Sequence, residues 1–212
     1  MSKAADLLRA GMEELGIHCT EDRITAFITY LDLLKKWNRA YNLTGLKTER
    51  EIIIKHFLDS LLFSKVIPSD ARSIADIGSG AGFPGIPIRI INPRLRLFLV
   101  EPAYKKQIFL RHVTKTLHLQ EVEVINSRIE EIKGLKVDVA VTRALFSVGD
   151  FIDKAGDILN KNGILILSKG PKLDEELRKT EQENISTEDF RLPFENIVRH
   201  IVVVKKTEGK TP

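Results

Sequence analysis

A chain of 212 residues, 43% hydrophobic and 29% charged, suits one large domain or a domain with an extension. Its net charge of +4 permits a polyanionic partner without demanding one. No apolar run is long enough to cross a bilayer, and the single cysteine, Cys19, excludes an internal disulfide and a cysteine-based zinc cluster.

The N-terminus, MSKAADLLRAGMEELG, lacks the apolar core of a signal peptide, so a cytoplasmic protein away from membranes is expected. Leu7, Leu8, Met12 and Leu15 recur at helical spacing and stop near Gly16. Ile24, Phe27, Ile28, Leu31, Leu34 and Trp37 predict a second helix, with Thr20 as its cap and Glu21 and Asp22 in its first turn. A third set, Ile52, Ile53, Phe57, Leu58, Leu61, Leu62 and Val66, runs to Pro68. Three short helices bury little surface alone. Residues 1–68 are therefore expected to form a helical extension packed on a domain of residues 69–212.

After Pro68 the texture changes. SIADIG, LRLFLVE, VEVIN, VDVAVTR and GILILSKG read as buried parallel strands. GIPIRIINP, Ala103 to Leu119, Val148 to Leu159 and Lys172 to Lys179 read as helices, and ENIVRHIVVVKK as a last strand. This alternation predicts an α/β, Rossmann-like fold: a mostly parallel twisted sheet flanked by helices. Arg89, Arg94, Arg96, Lys105, Lys106 and Arg111 form a loose basic group, open to two readings: a phosphate-facing patch or an ordinary solvated surface.

In an open parallel sheet, ligands sit beyond the carboxyl ends of the strands. The first strand ends at Asp76-Ile77, and Gly78, Gly80 and Gly82 follow. Lacking Cβ, they let backbone amides approach a ligand. A dinucleotide fingerprint is G-x-G-x-x-G, with the pyrophosphate on the helix N-terminus. Here the third glycine comes one residue early, Phe83 stands where glycine is wanted, and Pro84 removes an amide donor. The loop suits a nucleoside cofactor without a diphosphate there, such as S-adenosylmethionine. Glu101, roughly twenty residues beyond the loop at the end of the second strand, could accept from ribose hydroxyls. Asp76 could orient the loop or meet an ammonium group; capping the turn is equally open.

The segments DIGSGAGFPGIP (Asp76 to Pro87), WNRAYNLTG (Trp37 to Gly45), HFLDSL (His56 to Leu61), NSRIEE (Asn126 to Glu131), TRA (Thr142 to Ala144) and LSKG (Leu167 to Gly170) occur in order along nearly the whole chain. Together they resemble the bacterial rRNA small-subunit methyltransferase G family. One departure is Glu101-Pro-Ala-Tyr-Lys105-Lys106, where the family commonly follows its acid with a serine and a GKR-like turn. The resemblance implies a class I methyltransferase that moves a methyl group from S-adenosylmethionine to N7 of one guanine in 16S rRNA. It implies cofactor contacts at Gly78, Phe83, Ile129, Glu130 and Arg143, beside Gly80, Gly82 and Glu101 read from the loop itself. The implied partner is 16S rRNA or the small ribosomal subunit, and a monomer is expected.

Guanine N7 carries a lone pair and no proton, so the reaction needs alignment rather than a general base. No catalytic acid, base or metal is expected, and His18, His56, His112, His118 and His200 show no metal-ligand spacing. His56 reads as a packed helix histidine. A loop or splayed base is the expected target, since A-form grooves exclude side chains. Asn38, Tyr41 and Asn42, placed on the loop after the second helix, and Lys169 after the fifth strand are the RNA-facing candidates. The rivals are an NAD- or FAD-linked oxidoreductase, a non-catalytic RNA-binding factor and a small-molecule methyltransferase.

Overall fold

The fold is described from a computed structural model covering residues 2–143, 145–170, 173–178, 180 and 184–206. Helix α1 (Lys3–Glu14) starts at Ser2, whose side chain accepts from the Ala5 amide. Helix α2 (Glu21–Tyr41) starts as expected at Thr20, which accepts from the Arg23 amide. It runs past the apolar stripe to Tyr41, and Asn42 closes it in the left-handed conformation at φ 48°. Asn38 and Tyr41 therefore lie in the last helical turn, not in the loop after it. The reason is that the stripe marks only the buried face, while the cap sets the end.

The third apolar set is less regular than its spacing suggests. It begins as α3 (Glu49–Ile52), with a reciprocal Thr48–Glu51 capping box. A π-helical stretch, Ile53–Leu58, follows, then α4 (Asp59–Leu61) and a 3₁₀ turn, Leu62–Lys65.

Five strands expected from the sequence form the parallel part of the sheet: β1 (Ser73–Ile77), β2 (Arg96–Val100), β3 (Val122–Ile125), β4 (Val137–Arg143) and β5 (Leu159–Lys169). Two further strands, β6 (Ile185–Arg191) and β7 (Val198–Lys205), complete the order β3-β2-β1-β4-β5-β7-β6, with β7 antiparallel to both neighbours. The helices between strands are α5 (Gly85–Ile91), α6 (Tyr104–Thr116) and α7 (Val148–Ala155). After α7 comes a 3₁₀ turn, so Leu159 opens β5 instead of ending a helix. Of the helix expected over residues 172–179, α8 (Leu173–Leu177) is described; Lys172 and Lys179 lie outside the described residues.

The central strands read as continuous apolar runs because both their faces are buried. Ile74, Leu97, Leu99, Val139, Val141, Ile164 and Ile166 pack into one core with α2, α5, α6 and the helices before Pro68. Their neighbours Ala75, Phe98, Val100, Ala140, Leu165 and Leu167 pack into a second core with Phe151, Ala155 and Leu173. The N-terminal helices thus share the first core with the sheet. β1 sits between β2 and β4, where the strand order reverses. That reversal leaves a crevice at the carboxyl ends of β1 and β4.

Candidate active site

Beyond β1 the chain turns through Gly78, Gly80 and Gly82 at φ 72°, 59° and 99°. The amides of Gly78 and Ser79 both donate to the Val100 carbonyl, at 2.9 and 3.0 Å, which ties the loop to the end of β2. The Glu101 carboxylate is buried beneath the loop. Its Oε2 accepts from the Gly80 amide at 2.8 Å and its Oε1 from the Ala103 amide at 2.9 Å. Glu101 therefore shapes the loop directly, with lone pairs left on both oxygens for a hydroxyl.

The three glycines do different work. Among the described residues a Cβ on Gly80 would meet nothing nearer than 3.9 Å, so the backbone there is bare toward the crevice. A Cβ on Gly78 would lie 2.3 Å from Leu145 Cδ2, a side chain that is 54% exposed. Gly82 turns inward: a Cβ there would sit 2.5 Å from Ile86 Cδ1 and 2.7 Å from the Tyr30 hydroxyl. Gly82 serves packing and does not face the crevice.

Tyr30, on α2, supports the loop from below. Its hydroxyl donates to the Ala81 carbonyl, and its ring stacks on Phe83 with centroids 5.4 Å apart. Burial pushes its phenol well above the ordinary range. Tyr30→Phe leaves the Ala81 carbonyl without its donor. The expected cost is about 1–3 kcal/mol in urea unfolding, together with weaker cofactor binding in calorimetry. An unchanged unfolding midpoint counts against this support.

Asp76 is fully buried. Its Oδ2 accepts from the Gly85 amide at 2.8 Å, so it caps the start of α5, and its Oδ1 has no partner among the described residues. Burial pushes its carboxyl up to about 7, against the Gly85 amide and Arg143, which favour the anion. A raised carboxyl stabilises the fold fully below the unfolded value of 3.8 and loses that contribution as pH rises through about 7. Asp76→Asn removes this dependence. The variant should gain stability relative to the parent as pH rises from 4 to 7, checked by urea unfolding across that range. A constant difference would contradict the raised value.

From the β4 side, Arg143 closes the crevice. Its Nη1 donates to the Lys55 carbonyl at 3.1 Å and to Asp59 Oδ2 at 3.4 Å, its Nη2 to His56 Nδ1 at 2.9 Å, and its guanidinium lies 5.3 Å over the Phe83 ring. Asp59 is buried and also accepts from Arg199 Nε at 2.6 Å. His56 stacks on Phe83 at 4.4 Å and meets Thr44 Oγ1 through Nε2 at 2.6 Å. Burial first, and then Arg143, push the imidazole down to about 3, so it is neutral at physiological pH. His56 is packed, as its helical setting suggests, and it is also the link between Thr44 and Arg143.

These groups enclose a cavity of about 140 Å³, lined by Leu43, Thr44, His56, Phe83, Arg143 and the loop from Gly78 to Ala81. Ile129 and Glu130 lie elsewhere. They border a second cavity of about 430 Å³ with Asp150, Lys154 and Ile158, which shares no lining residue with the first. The Ile129 side chain is buried in the second core, and Glu130 pairs with Lys154.

The RNA-facing set is partly committed to the protein itself. Asn38 Oδ1 accepts from the Thr44 amide at 2.8 Å and so positions the loop after α2. Lys169 pairs with Glu176 at 2.9 Å, donates to the Phe146 carbonyl, and its side chain is only 10% exposed. Neither is a free RNA contact. Tyr41 is exposed beside Trp37, with Lys105 Nζ 5.9 Å from its ring. The loose basic group does not form one patch: Arg89 is buried and donates to the Gln120 carbonyl, and Arg96 pairs with Glu123.

The model of the rRNA small subunit methyltransferase G family matches residues 23–202. The chain belongs to this family. The ribosomal RNA small subunit methyltransferase G of Francisella philomiragia is 34% identical over 206 residues, covering 97% of this chain and 100% of that protein. The one from Francisella tularensis subsp. novicida is 36% identical over 201 residues, covering 95% and 97%. Among solved structures, a ribosomal protein L11 methylase from Lactobacillus delbrueckii aligns with a TM-score of 0.56 at 14% identity, over 72% of this chain and 79% of that one. TYW2 from M. jannaschii, in complex with AdoMet, aligns at 0.52 and 17% identity, over 69% and 73%. These likenesses show the fold, that of class I methyltransferases. Four segments of this chain that carried the sequence resemblance converge on the first cavity: Thr44 from WNRAYNLTG, His56 from HFLDSL, Gly78 from DIGSGAGFPGIP and Arg143 from TRA.

Tyr30, Asp59 and Arg199 escaped the sequence reading. Tyr30 alone left a signal: a tyrosine within an apolar helical stripe needs a partner for its hydroxyl.

Proposed function

We propose that the crevice between the ends of β1 and β4 binds S-adenosylmethionine and that the chain methylates N7 of a guanine in 16S rRNA. As a member of its family the chain is a small-subunit rRNA methyltransferase. The observation that carries the site assignment is the meeting of the glycine loop, bare at Gly80, with Arg143 across one cavity. That cavity lies where the strand order reverses, the ligand position in open α/β sheets.

The residues fit the methionine end of the cofactor. The loop backbone is unshielded at Gly80, and three of the five Arg143 N–H groups are used among the described residues, which there leaves Nε–H and one Nη2–H for a carboxylate. A whole nucleoside needs more room than about 140 Å³. Leu145, exposed over Gly78, is the side chain that has to swing aside. The lone pairs left on Glu101 suit the ribose hydroxyls, whereas Ile129 and Glu130 are placed at the adenine end by the resemblance alone, since they border a separate cavity. Bound adenosylmethionine supplies a methyl group activated on a sulfonium.

The protein's own part is alignment. Gly78 and Gly80 permit close backbone approach, Tyr30 and Glu101 hold the loop from beneath, and Asp59 and His56 fix the Arg143 plane. No residue has to remove a proton, because N7 has none. On the RNA side, Tyr41 and Tyr104, the latter 72% exposed, stand near Lys105, a combination suited to stacking bases beside a phosphate. Helix α6, which carries Tyr104 and Lys105, contains no acidic residue.

Calorimetric titration separates this reading from the oxidoreductase alternative. Adenosylmethionine and adenosylhomocysteine are expected to bind and NADH is not; NADH binding alone would overturn the proposal.

A further inference from the structure

The contacts of His56 favour one direction for the protons between Arg143 and Thr44; the Lys55 carbonyl also faces the ring, and it already accepts from Arg143 Nη1 at 3.1 Å. A guanidinium has donors only, so the 2.9 Å contact between Arg143 Nη2 and His56 Nδ1 requires Nδ1 to be the acceptor. A neutral imidazole with an unprotonated Nδ1 carries its hydrogen on Nε2. Nε2 must then donate to Thr44 Oγ1 at 2.6 Å. The Leu46 amide donates to the same oxygen at 3.2 Å. A hydroxyl oxygen has two lone pairs, and both are now in use. The Thr44 hydroxyl keeps one function, that of a donor, and no described residue accepts its proton. Thr44 lines the same cavity as the glycine loop and Arg143.

An ordinary threonine hydroxyl accepts as readily as it donates and so cannot tell a carbonyl from an amino group. One locked as a donor can. On the edge of a purine that carries N7, guanine presents O6, an acceptor, while adenine presents an amino donor. Building on the proposed guanine-N7 reading, we propose that the Thr44 hydroxyl donates to O6 of the target guanine. That bond holds the reacting edge at the cavity while leaving N7 free, and it rejects adenine, whose amino group finds no lone pair on Thr44. Arg143 and His56 act here as positioning residues, since they reach the base only through Thr44.

The test is a cycle between protein and substrate. Small subunits are rebuilt with guanosine, inosine or 2-aminopurine riboside at the methylated position. Inosine keeps O6 and N7; 2-aminopurine keeps N7 and lacks O6. With the parent enzyme, inosine should match guanosine in kcat/KM, and 2-aminopurine should fall by about 10–100-fold. With Thr44→Val, guanosine should fall by a similar factor while 2-aminopurine falls no further, so that intrinsic differences in N7 reactivity cancel in the ratio. Thr44→Ser should restore the parent pattern, and all rates are taken at saturating adenosylmethionine, so that a change in cofactor affinity does not enter the comparison between substrates. Equal loss on all three substrates in Thr44→Val would assign Thr44 a structural role and overturn the proposal. Nitrogen-15 NMR of His56 checks the premise without a variant: a proton on Nδ1 in the parent protein would overturn it as well. No methylation of any of the three by the parent enzyme would sink the guanine-N7 reading itself, and the Thr44 role with it.

Discussion

Gly78→Val is expected to abolish detectable adenosylmethionine binding while leaving a folded protein. Residue 78 sits at φ 72°, a region that costs a β-branched residue about 1–3 kcal/mol. The nearest atom to an added Cβ is Leu145 Cδ2 at 2.3 Å, the far end of an exposed side chain that can turn away. The strain is therefore smaller than an ordinary domain stability of about 5–15 kcal/mol. The crevice suffers more, because the valine methyl groups fill the space over residue 78 that Leu145 has to vacate for a ligand. Circular dichroism should match the parent, and calorimetric titration should show no heat of binding. Parent-like affinity in a folded variant would remove the glycine loop from the cofactor site.

Asp59→Ala is expected to give the largest loss of stability near the site. The Asp59 carboxylate is buried between Arg143 and Arg199, at 3.4 and 2.6 Å, and their side chains are 18% and 26% exposed. Removing the shared anion strands two partly buried cations. Losing one partner of a buried pair costs about 3–5 kcal/mol, and the partial exposure of both arginines puts the expected value near the lower end, about 3 kcal/mol. For a chain of this size that corresponds to a fall in Tm of roughly 6–12 °C. Arg143→Ala is the informative contrast. It leaves Asp59 paired with Arg199, so Tm should fall less, while methyl transfer should fall more because the crevice loses its guanidinium. Equal Tm losses with undiminished turnover in Arg143→Ala would make the network purely structural.

The sheet was readable because its central parallel strands are buried on both faces and so read as near-continuous apolar runs. Strand β6, ISTEDFR, left no such trace. It lies at the sheet edge with most side chains exposed, where charge is tolerated and also discourages pairing with another chain. The glycine loop was visible through its spacing, yet its division of labour was not. Gly80 opens toward the crevice and Gly82 toward Ile86 and Tyr30, a distinction that depends on a helix some fifty residues earlier, shown by the Tyr30 to Ala81 bond across 51 positions. The π-helical stretch at Ile53–Leu58 keeps an ordinary helical apolar pattern, so nothing in its spacing announced it. His56 and Arg143, 87 positions apart, meet only after the N-terminal helices dock on the sheet. Lys169 shows what spacing leaves open: a strand-end lysine at the active edge can face phosphate or solvent, and in the fold it pairs with Glu176 on α8.

The most direct test of the central claim is incubation of the protein with methyl-labelled adenosylmethionine and small ribosomal subunits lacking the modification, followed by mapping of the labelled nucleotide. The expected result is label at N7 of a single guanine in 16S rRNA. Label on another base position, on protein, or nowhere would contradict it.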